Sequence, residues 1–211
     1  MRNEGVRFAH ILYVRQSLTH KFLTPNSSLL TLKGKKMDNK IDVAVIVGSA
    51  SDLPVINEGL KVLKEFGLNY SVNVASAHRT TEHLKQCLSK AQNAGVKVFI
   101  AGAGMAAALP GVVASETVLP VIGVPMEGKN LASMDALFSI VQMPKGVPVA
   151  TVAVGKAGAV NAAVLAAQII AVSNNELKEK LIAYKKKQAE AVIKEDAKLQ
   201  AEGIEKFLEK Q

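Results

Sequence analysis

The chain has 211 residues, 49% of them hydrophobic, which supports one well-formed core rather than several large domains, and no apolar run reaches bilayer-spanning length. Its single cysteine, Cys87, excludes an internal disulfide framework and a cysteine metal cluster, and it fits a reducing, cytoplasmic setting. Of the net charge of +8, six units lie in residues 1–40, with eight Lys/Arg against two acids, so the nearly neutral body, with aromatics at 4% and no Trp, lacks the basic surface and stacking platform of a nucleic-acid binder.

Residues 1–36 show no sustained periodicity, and they contain a Pro-Asn-Ser-Ser stretch and a Lys-Gly-Lys-Lys run. They read as an upstream leader, or as the product of a start placed before a true beginning at Met37. A targeting peptide is the alternative, because the segment is rich in Arg and Ser/Thr and poor in acids. Residues 37–173 read as an α/β catalytic domain, and 174–211 as a helical extension.

Asp42–Val47 (DVAVIV) is a short β-branched run suited to a strand buried on both faces. After the loop Gly48–Asp52, Asp52 is placed to cap a helix that tolerates Pro54 in its first turn. That helix buries Ile56, Leu60 and Leu63 and ends at Gly67. Strand Tyr70–Ala75 passes through Ser76–Thr80 into a helix with Leu84, Leu88 and Ala91 on one face, closed by Gly95. Strand Val96–Ile100 leads through a Gly-Ala-Gly loop into a small-residue helix from about Met105 to Thr117. Pro120–Val124 leads to a helix around Asp135–Gln142, and Val149–Val154 precedes the apolar helix Ala157–Val172. Five such units predict a doubly wound, parallel five-stranded sheet with helices on both faces.

The Ala157–Val172 helix is apolar nearly all round, which predicts burial on more than one side. Asn175–Gln211 is charged, with Leu177, Leu181 and Tyr184 at helical spacing, and it either packs on its own domain or docks on a neighbour. Together these two segments favour a homo-oligomer.

Ligands of an open parallel sheet bind at the carboxyl ends of its strands. Gly48-Ser-Ala-Ser-Asp52 is a small-residue turn that opens a helix N-terminus and suits an anion. It has neither the G-x-G-x-x-G of a dinucleotide site nor the Lys of a P-loop. Of four histidines, His10 and His20 fall in the leader and His83 on the polar side of a helix; only His78, beside Arg79, stands at a strand end. An arginine there suits a phosphate or carboxylate, and a histidine exchanges a proton near neutral pH. A structural or merely exposed His78 is the plainer alternative. Gly102–Gly111 (GAGMAAALPG) carries almost no side-chain chemistry, so it serves a planar substrate through its backbone or serves helix–sheet packing. No set of His, Asp and Glu has metal-ligand spacing, and no Cys–His or Ser–His–Asp set stands out. The combination points to acid–base work on a phosphorylated metabolite.

Taken in order, GSASD (48–52), SAHRT (76–80), AGAGMAAALPG (101–111), LPVIGVP (119–125) and SIVQMPKGVPVATVAVGKAGAVNAAVLAAQI (139–169) resemble the class I N5-carboxyaminoimidazole ribonucleotide mutases. The resemblance covers about Val43 to Ala171. It implies a flavodoxin-like three-layer sandwich and an isomerase of de novo purine (IMP) biosynthesis. The implied reaction moves a carboxyl group from exocyclic N5 to ring C4 of an aminoimidazole ribonucleotide, by decarboxylation, retention of CO2 and attack of C4 on it. By the same resemblance His78 is the general acid–base group, Ser49 and Arg79 hold the phosphate, and Asp52 holds the ribose hydroxyls. Ser76 and the backbone of Ala101, Gly102, Ala103 and Gly104 would line the carboxylate and base pocket. No metal or organic cofactor is implied, and the implied partners are the ribonucleotide, transient CO2 and further copies of the chain in an octamer. The chain departs from the family pattern at Ala108, where His is frequent, at Met105, where Gly is common, and at Ser133 and Ala136, where Gly and Ser are frequent. Two rival readings stand beside the mutase: a carboxylase of the same fold that takes free CO2, and a non-catalytic nucleotide-binding module.

Overall fold

A computed structural model describes residues 40–209 of the chain. The leader expected over 1–36 lies outside the described residues. Five strands, β1 (Val43–Val47), β2 (Tyr70–Val74), β3 (Val98–Ala103), β4 (Val121–Pro125) and β5 (Ala150–Thr151), form one sheet in the order β2-β1-β3-β4-β5, parallel throughout. Parallel neighbours require crossovers. These are α1 (Leu53–Glu65), α2 (Thr81–Asn93), α3 (Leu109–Ser115) and α4 (Met134–Val141); α5 (Gly155–Ala171) follows the last strand. The sheet grows from β1 to β2 on one side and then from β3 onward on the other, so the winding reverses between β1 and β3. That is the flavodoxin-like order, with its crevice at the reversal.

The β-branched runs of β1, β3 and β4 are buried along their whole length, as strands covered on both faces must be. Alternate residues supply two cores. Val43, Val45, Val47, Val98 and Ile100 pack under Ile56 and Leu63 of α1 and the alanines of α5. Ala44, Ile46, Phe99 and Ala101 pack under Leu84 and Leu88 of α2, Val113 of α3 and Ile140 of α4. Each fully buried aliphatic side chain contributes about 1.5–3 kcal/mol, so these two layers carry the stability of the sheet.

Helix α5 packs against α1, β3, β4 and the tail helix, which accounts for its nearly uniform apolar surface. Small residues allow close approach here. The carbonyl of Ala159 on α5 occupies the place where a side chain at Gly59 of α1 would begin. The tail is α6 (Asn175–Glu202), capped by Asn174, whose Oδ1 accepts the amide of Leu177 at 3.1 Å, followed by α7 (Ile204–Leu208). Leu177 and Leu181 are buried, and Tyr184 meets Phe66 edge-on at 5.2 Å, so the first turns of α6 dock on their own domain. Residues 185–198 are exposed.

Several details differ from the sequence expectation. Strand β3 runs Val98–Ala103 rather than Val96–Ile100, so Gly102 and Ala103, expected in a loop, belong to the ladder. Helix α3 starts at Leu109 rather than near Met105, because Met105 is left-handed (φ 56°) and Pro110 occupies the first turn. Strand β5 has two ladder residues instead of six, extended only by the Val152 amide, which donates to Gly123 at 3.1 Å. On α1, Gly59 and Val62 are buried where Leu60 was expected, and Leu60 is half-buried.

Candidate active site

The loops after β1, β2 and β3 sit side by side because their strands do. Backbone bonds continue the ladder past the strand ends: the Ala75 amide donates to Val47 at 2.9 Å, and the Gly48 amide donates to Gly102 at 3.2 Å. The second of these lies at the β1/β3 reversal. The first loop is thus tied to the end of β3 at the crevice that this topology provides for ligands.

In the first loop Ser49 is extended and starts a short 3-10 turn, Ala50–Asp52. Its Oγ accepts the Ser51 amide at 3.3 Å and lies 2.8 Å from the Ser51 hydroxyl, which also stands 3.4 Å from Asp52 Oδ1. Asp52 occupies the N-cap position of α1 but makes no side-chain cap bond. The capping expected of Asp52 is therefore made by Ser49, one turn earlier, which leaves the carboxylate available to a ligand. Burial pushes the Asp52 carboxyl above its ordinary value, and hydrogen bonds from Ser51 and the Ser49 backbone offset only part of that.

The second loop carries the charged chemistry. Arg79 donates from Nε to Ser76 Oγ at 3.4 Å and from Nη2 to the Gly48 carbonyl at 3.3 Å, and its amide also donates to Ser76 Oγ at 3.3 Å. Nη1 has no protein partner among the described residues, so one edge of the fork is open to an anion. His78 is exposed at the middle of the loop, and its ring has no hydrogen-bond partner among the described residues. His83, by contrast, lies on α2, 3.6 Å from Cys87 Sγ.

The end of β3 and the loop after it offer shape. Ala101, Gly102 and Ala103 are buried and Gly104 is half-buried. A side chain at Gly102 would collide with Met126 and Ile56, so the residue is small because the space behind it is filled. Ala108, at the N-cap of α3, brings no polar atom to the site. Across the next loop, Leu131, Ala132 and Ser133 all have positive φ (52°, 48° and 65°). Ser133 is buried, and its Oγ accepts the Gly128 amide at 2.9 Å. Met105 is left-handed as well as Ser133, and glycine is the residue that adopts this backbone without a steric cost.

The loops thus bring Ser49, Asp52, Ser76, Arg79 and the β3 backbone to one end of the sheet, with His78 in the same loop as Arg79. The sequence reading gave Thr80 no role of its own. The signal was present, since hydroxyl residues at helix starts bond to backbone, but it does not say in which direction they reach. Among the described residues no group of three His, Cys, Asp or Glu is placed to hold a metal ion, and no helix is long and apolar enough to cross a membrane.

The family model described as AIR carboxylase matches residues 42–191. An N5-carboxyaminoimidazole ribonucleotide mutase of Pyrococcus horikoshii is 49% identical over 166 residues, covering 79% of this chain and 93% of the relative. A chloroplastic phosphoribosylaminoimidazole carboxylase of Vigna aconitifolia is 44% identical over 207 residues, covering 96% of this chain but 36% of that longer protein. The crystal structure of Treponema denticola PurE superposes with a TM-score of 0.70 at 30% identity, covering 76% of this chain and 99% of that one. Since the family match runs through all five strands and all three loops, the chain belongs to the AIR carboxylase family.

Proposed function

We propose that the chain is an N5-carboxyaminoimidazole ribonucleotide mutase, an isomerase of purine biosynthesis. The observation that carries this reading is the joining of the second loop to the first through Arg79 and Gly48, and of the first loop to the end of β3 through Gly48 and Gly102 at the β1/β3 reversal, with His78 beside the arginine. Arg79 and Ser49 hold the substrate phosphate, Asp52 takes the ribose hydroxyls, and Ser76 with the backbone of 101–104 lines the pocket for the base and carboxylate.

The bond from N5 to the carboxyl carbon breaks, His78 gives its proton to the nitrogen, and CO2 is released beside the ring. Carbon C4 then attacks CO2, and His78 takes the C4 proton, returning to its starting state. CO2 is small and weakly polar, so the pocket has to confine it rather than bond to it. Alanine, glycine and backbone walls do this, and confinement replaces a bimolecular encounter with an effective molarity of about 10⁵ M or more. No step calls on a metal or organic cofactor.

A homo-oligomer, with the octamer of the family as the expected form, goes with this reading. Its support is α4, whose Ala136 and Ile140 are buried while Met134, Phe138 and Val141 stand exposed on the other side. A helix apolar on both faces has a second face to bury. Light scattering of the purified protein measures the subunit count, and a monomer would remove this part of the reading. A reducing, cytoplasmic location suits a chain whose one cysteine is a free, buried thiol.

The test is an assay with each of two substrates, on the wild type and on His78→Asn. We expect turnover of the N5-carboxy compound, and a loss of about 10²-fold or more in His78→Asn, the range for removing a general acid–base group. Turnover of aminoimidazole ribonucleotide with CO2, and none of the N5-carboxy compound, would make the chain a carboxylase instead. Turnover of neither by the wild type, with ribonucleotide binding retained, would leave a binding module.

A further inference from the structure

Thr80 stands at the N-cap of α2, where a threonine hydroxyl ordinarily turns forward to accept an amide of the first helical turn. Here it makes no such bond. Its Oγ1 reaches back instead, accepting the Ser76 amide at 2.8 Å and donating to the Ser76 carbonyl at 3.2 Å. The Thr80 amide donates to the same carbonyl at 3.0 Å. Both backbone polar groups of Ser76 are thereby satisfied by one residue, and the loop 76–80 is closed into a ring.

The consequences run to each working group of the loop. With the Ser76 backbone held, its Oγ is free to accept from Arg79. The neighbouring Thr81 hydroxyl also turns back, donating to the Ala77 carbonyl at 3.0 Å, which fastens the residue before His78. His78 itself has no side-chain bond among the described residues, so the placing of its imidazole depends on where the ring of backbone holds its Cα. The hydroxyl that would have stabilised the start of α2 is used to fix the loop that carries the histidine.

We propose that Thr80 is a positioning residue for His78: its hydroxyl closes the loop and sets the imidazole for proton transfer. The proposal rests on the reading of His78 as the acid–base group. It concerns the chemical step, because misplacing a reacting group by about 1 Å costs about 10²-fold in rate.

The experiment compares Thr80→Val, which keeps the shape and removes the hydroxyl, with Thr80→Ser, which keeps the hydroxyl, and with His78→Asn. Thr80 is exposed, so the core is untouched; Thr80→Ala is measured alongside Thr80→Val, and circular dichroism verifies the fold of each. We expect Thr80→Val and Thr80→Ala to lower kcat by about 10-fold or more with KM for the ribonucleotide changed less than about 3-fold, and Thr80→Ser to restore kcat to within about 3-fold. Unchanged kcat in Thr80→Val overturns the proposal, as does an equal loss in Thr80→Ser. A rise in KM at constant kcat overturns it too, since the residue would then serve phosphate binding through Ser76 and Arg79. Full activity in His78→Asn removes the parent reading, whereas loss there beside a fully active Thr80→Val removes only the role of Thr80.

Discussion

Arg79 donates from Nη2 to the carbonyl of Gly48 at 3.3 Å, bridging 31 positions of sequence and tying the loop after β2 to the loop after β1. A lysine has the charge but not the fork, and cannot reach Gly48, Ser76 and a phosphate together. Arg79→Lys should therefore weaken ribonucleotide binding by about 10-fold or more, in keeping with the loss of a charge-assisted hydrogen bond worth about 1.5–3 kcal/mol. The thermal midpoint should hardly move, because the side chain is exposed. Calorimetric titration decides, and an unchanged Kd in Arg79→Lys would mean that the guanidinium serves the loop and not the ligand.

The left-handed residues supply a second test, one in which two similar substitutions should diverge. Met105 is left-handed and 75% exposed, so its side chain contributes little and its backbone costs about 1–2 kcal/mol. Met105→Gly relieves that cost and loses about 0.4–1 kcal/mol to the freer unfolded chain, for a net gain of about 0.5 kcal/mol. Ser133 is left-handed as well, but its buried Oγ accepts the Gly128 amide. Ser133→Gly strands that donor, at about 1–3 kcal/mol, and the gain is cancelled or reversed. Urea denaturation of the two variants measures the difference; a stabilised Ser133→Gly would show that the Gly128 bond contributes nothing.

These same residues show where the sequence was legible. The strands and the two covered faces follow from short β-branched runs such as Val43–Val47, bounded by turn residues, and from helical spacing such as Leu84, Leu88 and Ala91, since length, branching and period together decide burial there. The helix expected from Met105 was misplaced because alanine and methionine favour helix locally, while the left-handed turn at Met105 is imposed by the loop. Pro110 marked the true start, since proline fits the first turn of a helix. Asp52 illustrates the limit within the site: its type and place suited a cap, yet the bond was made by Ser49, three residues earlier. Which hydroxyl bonds forward and which bonds back is set by the trace of the loop, as Thr80 shows, and no spacing rule carries that.

Asp52 gives a pH-dependent prediction. Burial raises its carboxyl above the ordinary value, so the ionised form is less favourable folded than unfolded. A raised carboxyl leaves stability intact below the unfolded value and removes some as pH rises through the folded one. Asp52→Asn has no charge to bury, so it should melt higher than the wild type at pH 7 and lose that advantage as the pH falls past the ordinary carboxylate range. Ribonucleotide binding should weaken at the same time, since the amide offers the ribose hydroxyls one neutral acceptor in place of two charged ones. Melting curves from pH 3 to 8 are the measurement; an advantage that persists at the acid end would assign the gain to packing instead of charge.

Gly59 links the packing of the body to the site. The backbone carbonyl of Ala159 lies where a side chain at Gly59 would begin, and a backbone atom of α5 cannot swing aside as a side-chain tip can. Gly59→Ala gains up to about 1 kcal/mol in helix propensity, but overpacking costs about 1–3 kcal/mol when the neighbours are fixed. The clash should win, and the variant should be less stable, with α1 pushed away from α5. Because α1 begins immediately after Asp52, that shift should reach the first loop. We therefore expect Gly59→Ala to raise KM for the ribonucleotide as well as lower the melting temperature, although residue 59 lies in the second turn of the helix and contributes no group to the ligand. A variant that melts earlier but keeps its KM would show that the 3-10 turn at Ala50–Asp52 absorbs the displacement before it reaches Ser49.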